Sequence, residues 1–126
     1  MWLKIRRLRG QLRRQEEYLK GLREIVTGLE TLMTASKSTP LGNRVEGLVV
    51  KILTCEALIK ELRAEISETI PAIADELDRL DDPLKTLLKL RYVDGLSWKK
   101  ISRALRMPRV EVLSLHEKFF DNHSQK

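Results

Sequence analysis

Residues 82–120 read DPLKTLLKLRYVDGLSWKKISRALRMPRVEVLSLHEKFF, and the start and stop signals inside this stretch decide the fold. Leu84, Leu87, Leu88 and Tyr92 recur at helical spacing. Ahead of them Asp82 can serve as N-cap, and Pro83 suits a first helical position because its missing N–H would be unpaired there anyway. Asp94-Gly95 ends this helix, glycine tolerating the positive φ that a stop needs. Ser97 is placed to cap the next helix, whose Trp98, Ile101 and Leu105 form one apolar stripe. Met107-Pro108 breaks the chain again, and Val112, Leu115 and Phe119 make a third stripe. Three short helices joined by two tight turns predict a helix-turn-helix, whose last helix, residues 108–120, would enter the major groove of double-stranded DNA.

These residues also carry a family resemblance. Leu90-Arg91-Tyr92, Gly95-Leu96-Ser97-Trp98, Ile101, Leu105, Val112 and Leu115 follow an order and spacing that resembles the region 4 domain of sigma-70-type factors. With a long helical N-terminal half ahead of RYVDGLSW, the whole layout resembles small phage regulators of the ArpU type, sigma-region-4-like proteins of late-gene control. The resemblance implies a DNA-binding transcriptional regulator, cytoplasmic or on the nucleoid of a bacterial host cell, with RNA polymerase as a second candidate partner. Members usually have a small residue in the turn between the two helices, where this chain has Arg106. Region 4 reading helices point several Arg, Gln or Glu residues at bases. The matching outward positions here hold Arg109, Val110, Glu111, Leu113, Ser114, Glu117 and Lys118. Val110 and Leu113 cannot hydrogen-bond a base edge but can touch a thymine methyl. The expected base contacts are Arg109, Glu111, Leu113 and Ser114.

The basic residues of this third are spread as a backbone-binding surface needs. In a helix-turn-helix the helix before the reader crosses the sugar-phosphate backbone, which assigns Ser97, Lys99, Lys100, Arg103, Arg106 and Lys118 to phosphates. Such contacts supply affinity and salt dependence without sequence information. The same residues could instead form an interaction module that grips RNA polymerase or another regulator without reading DNA. Trp98 reads as the domain's hydrophobic anchor and His116 as a phosphate or solvent contact.

The whole chain agrees with a nucleic-acid partner and excludes several others. Its net charge is +6 over 126 residues, with a pI of about 9.7. Charged residues reach 33% and aromatic ones only 5%, as in a helical protein with a thin core. One cysteine, Cys55, rules out an internal disulfide and sits on an apolar stripe. No apolar run approaches the roughly 20 residues of a membrane span, and the start, MWLKIRRLRGQLRRQ, has no apolar signal core. No membrane partner and no secretion are expected. His116 and His123 have no cysteine or carboxylate at metal-ligand spacing, and no phosphate loop or nucleophile set occurs. The chain therefore reads as a non-enzyme with no cofactor and no metal.

Ahead of the helix-turn-helix lie two long stripes. Ile5, Leu8, Leu12, Gln15, Leu19, Leu22, Val26, Leu29 and Met33 alternate steps of three and four, the seam of a helix that packs on another. Residues 35–43, ASKSTPLGN, read as a loop with Asn43 as the next cap. A second seam follows at Val45, Leu48, Ile52, Cys55, Ile59, Leu62 and Ile66. It takes two steps of four to Ile70 beside Pro71, which predicts a bend or a break there, and resumes at Ile73, Leu77 and Leu80.

Two seams and a short loop predict an antiparallel hairpin in which residue numbers adding to about 80 lie opposite one another. That register sets Arg6, Arg7 and Arg9 against Asp75, Glu76 and Asp78, a structural role to which a second DNA-contacting surface and an acidic lipid or protein partner are the alternatives. The predicted architecture is all-α: a coiled-coil-like hairpin arm over residues 1–81, then a three-helix domain over 82–126. A lone hairpin buries little, so a homodimer through the arms is expected unless the C-terminal helices cover one end.

Overall fold

The computed structural model describes residues 1–35 and 41–124, with the side chains of 33–35, 41–43 and 124 left aside. It is all-α, with no strand among the described residues. Two long helices, α1 (Trp2–Ala35) and α2 (Leu41–Asp78), precede three short ones, α3 (Leu84–Leu88), α4 (Trp98–Leu105) and α5 (Arg109–Ser124). α3 runs on into a π-helical turn, Lys89–Val93, closed by an Asp94 N–H to Lys89 carbonyl bond of 3.0 Å.

Both long helices form on their predicted stripes, and two expectations about their ends need correcting. α2 begins at Leu41, so Asn43 lies inside the helix instead of capping it. The rest of the expected loop, residues 36–40, is outside the described residues, as is the Met33 side chain. α2 also passes through Pro71 without breaking into two helices. Two residues earlier the buried Thr69 turns its hydroxyl back onto the Glu65 carbonyl at 2.7 Å.

The chain packs as two compact units, Gly10–Ala64 and Met1–Arg9 with Glu65–Lys126. The division between these units falls within α1 and α2. Among the described residues of the unit 10–64 the buried side chains are all seam residues: Leu12, Leu19, Leu22 and Val26 from α1; Cys55, Ile59 and Leu62 from α2. The ion pairs Arg23–Glu56 (2.7 Å) and Glu16–Arg63 (3.7 Å) follow the expected antiparallel register. Gln15, the polar seam residue, is half-buried and accepts from the Cys55 thiol at its backbone and side-chain oxygens, 3.3 and 3.4 Å.

The other unit gathers five helices around an aromatic core. Trp2 is 3% exposed and sits edge-on to Phe119 and Tyr92, with ring centroids 5.2 and 6.2 Å away. Its indole N–H donates to Glu76 at 2.7 Å. Ile5, Ile73, Leu87, Leu88, Ile101 and Val112 complete the apolar centre.

Two of the arginines expected opposite Asp75, Glu76 and Asp78 have other acceptors in this unit. Arg6 pairs with Glu117 at 3.2 Å and lies over the Phe120 ring. Arg9 donates to the Tyr92 carbonyl at 3.0 and 2.9 Å and to the Val93 carbonyl at 2.7 Å. Those carbonyls end a helix and have no intrahelical partner, and a cation is favoured there by the helix dipole. Charge counting found the right end of the chain but missed the competing acceptors.

Candidate nucleic-acid interface

The local signals that build the candidate site act as read except at the start of α3, where Pro83, not Asp82, stands at the cap position and Leu84 is the first helical residue. The Asp82 carboxylate accepts from the Thr86 N–H at 3.1 Å and from its hydroxyl at 2.5 Å, although Pro83 stands between it and the first residue of α3. These two bonds hold the Asp82 carboxyl below its ordinary pKa. Gly95 has φ +70°, and a Cβ there would come within 2.8 Å of Arg9 Nη1. The positive φ favours glycine, and a Cβ would also have to displace the Arg9 guanidinium. Ser97 caps α4 from extended backbone, its hydroxyl accepting from the Lys100 N–H at 3.3 Å.

The turn between α4 and α5 is made by Arg106 in the left-handed region, φ 54° and ψ 42°. A small residue is usual at such a turn because a Cβ crowds the following carbonyl. Here the position is held by its N–H to the Ser102 and Arg103 carbonyls and by the Met107 N–H to the Ser102 carbonyl, 3.2 Å. The Ser102 hydroxyl donates in turn to the Met107 carbonyl. Pro108 then opens α5, its carbonyl accepting from Glu111 and Val112.

Burial sorts the candidate residues. Arg109, Glu111 and Ser114 are exposed on the first turns of α5, while Leu113 is half-buried. Lys99, Lys100, Arg103, Arg106 and Lys118 are exposed, and Ser97 is exposed with its hydroxyl engaged as a cap. Val110, between the reading candidates, is 78% exposed. Val112, His116, Phe119 and Phe120 turn inward. From Leu96 to His116 the chain has Lys99, Lys100, Arg103, Arg106 and Arg109 against one carboxylate, Glu111.

Two basic or titratable residues are structural instead. His116 is 2% exposed and is not a phosphate or solvent contact. Its Nε2 shares a 2.5 Å hydrogen bond with the Tyr92 hydroxyl, its Nδ1 lies 3.3 Å from Glu117, and its ring packs on Trp98 and Phe120. Burial lowers its pKa; the Glu117 hydrogen bond opposes this, and the Arg6 and Arg91 charges add to the lowering. Arg91, 8% exposed, donates to the Leu96 carbonyl at 3.0 Å and lies 4.1 Å over the Trp98 ring. Trp98 is accordingly a half-buried anchor held from both sides.

Sequence reasoning missed Trp2 and the true place of Arg9. A signal for the first existed: Trp2 stands three residues before Ile5 and extends the seam by one step. No local pattern marks the second, because its acceptors are carbonyls of a distant helix.

Among the described residues no group of three His, Cys, Asp or Glu side chains could hold a metal ion, and no helix is long and apolar enough to cross a membrane. Compared with known proteins, the chain matches no family model, no curated protein and no solved structure.

Proposed function

We propose that the protein is a DNA-binding transcriptional regulator of the phage type, whose α5 reads the major groove of double-stranded DNA. The observation that carries this reading is the exposed cluster of five cations around the α4–α5 turn, with a single carboxylate among them. A helix-turn-helix frame with that charge on its outer side suits a polyanion, and the resemblance to sigma region 4 and ArpU-type regulators points the same way. In this reading Arg109, Glu111, Ser114 and Leu113 meet base edges. Ser97, Lys99, Lys100, Arg103, Arg106 and Lys118 sit against phosphates, and a second copy of the chain pairs through the helical arm. The protein works inside a bacterial host cell and uses no cofactor.

Selection of bound fragments from a random duplex pool, followed by titration of the winner at several salt concentrations, tests it. Neutralising four or five phosphates gives a log–log salt slope of roughly −4. Arg109→Ala costs about 1–3 kcal/mol on the selected site and relaxes its sequence, while Lys99→Ala weakens every duplex and flattens the slope by about 1. Absence of binding to any duplex at low salt rejects the proposal.

One observation favours a second reading. Val110 and the half-buried Leu113 place apolar surface where base readers are usually polar. In that reading α5 docks on RNA polymerase or another regulator, and the chain binds duplexes without selecting a sequence.

A further inference from the structure

The seam of α1 has a second seam beside it. Tyr18, Gly21, Ile25, Gly28 and Leu32 each stand one residue before a seam residue, so they repeat its steps of three and four along the adjoining face. The large members are open to solvent: Tyr18 is 47% exposed, Ile25 52% and Leu32 57%. The small members face open space, since a Cβ at Gly21 or Gly28 would meet nothing within 4 Å. Nothing among the described residues requires glycine at either position, yet each glycine costs about 1 kcal/mol relative to alanine in a helix interior. The residues one position after the seam behave differently: Glu16, Arg23, Glu56 and Arg63 close that flank with ion pairs.

We propose that this face of α1 docks a second copy of the chain. The two α1 helices lie antiparallel across a two-fold axis, with the large residues of one set over the glycine gaps of the other. The occupant follows from the pattern. A face that alternates large residue and gap is complementary to itself when turned end for end, because Tyr18 and Ile25 of each copy then lie over Gly28 and Gly21 of the other, with Leu32 at the margin of the contact. The area sets the strength. Three half-exposed side chains and the glycine backbone between them offer on the order of 300–400 Å² per copy, under the roughly 800 Å² of a stable partner, so the dimer is weak and concentration-dependent. The inference rests on the reading of the arm as the pairing element and is independent of DNA recognition.

Sedimentation equilibrium of the full chain, from low to high micromolar concentration, tests it with two variants. The native chain dimerises at the high end. Ile25→Glu raises the dissociation constant about tenfold or more, because it would bury an unpaired charge at the contact. Gly28→Leu raises it similarly while helix content by circular dichroism holds or increases, leucine being the better helix former and the space around it open in the monomer. A native chain that stays monomeric throughout overturns both the pairing and this face, and leaves the face to a different polypeptide. A native dimer that both variants form equally well overturns the face alone.

Discussion

Among the described residues of the unit 10–64 each buried side chain belongs to one of two stripes with three-and-four spacing, whereas in the other unit the buried side chains come from all five helices. The first arrangement is redundant, since one seam residue resembles the next and each is placed by its own helix. The second depends on a few long-range contacts that nothing else can replace. Trp2 reaches Phe119, Tyr92 and Glu76 at once, and Arg9 ends the α3 turn from a helix more than 80 residues earlier in the chain. The candidate reading helix therefore depends for its placement on the first nine residues, which carry none of its chemistry.

The contrast can be broken most sharply at Trp2. Trp2→Ala should cost about 3–5 kcal/mol in urea unfolding, as a buried aromatic truncation does, and near-ultraviolet circular dichroism should show the loss in the aromatic unit. A loss shared equally with the unit 10–64 would mean that the two unfold as one.

Next comes Gly95→Ala, expected to cost about 1–3 kcal/mol because it strains a positive φ and drives a Cβ onto Arg9. In a double-mutant cycle with Arg9→Ala the steric part should vanish and the backbone part remain. Strict additivity would remove Arg9 from the account.

A smaller effect concerns pH. The folded His116 has a lowered pKa, so below about 6.5 the unfolded chain takes up a proton that the folded one refuses. Stability from this group is present above that pH and declines as pH falls through it. His116→Gln should flatten this limb in denaturation measured from neutral to mildly acidic pH, and an unchanged limb would assign it elsewhere.

The smallest effect is on the other side of the comparison. Arg63→Ala removes one exposed pair from the hairpin and should change the melting free energy by less than about 0.5 kcal/mol.

Legibility followed the same division. The seams, the Ser97 cap, the Gly95 stop and the break at Met107-Pro108 depend on side-chain type and spacing along one helix, and each was readable from the residues alone. Arg106 was readable as an oddity in its turn, while the bonds around it that hold the left-handed backbone were not. The exposed members of the candidate interface follow from helical periodicity. His116 and Arg91 do not, because an ionisable side chain is placed inside or outside by partners on other helices.

By itself the order of residues determined that the elements of this protein are helices, where its long helices keep their apolar faces, and which cations surround the α4–α5 turn. Those properties are set within a few residues by backbone geometry and solvent. Only the tertiary structure decided that residues 1–9 pack with the C-terminal helices, that Arg9 donates to the Tyr92 and Val93 carbonyls, and that His116 lies inside. A cation or an imidazole goes to whichever acceptor the folded chain brings nearest, and that acceptor can lie anywhere along the chain.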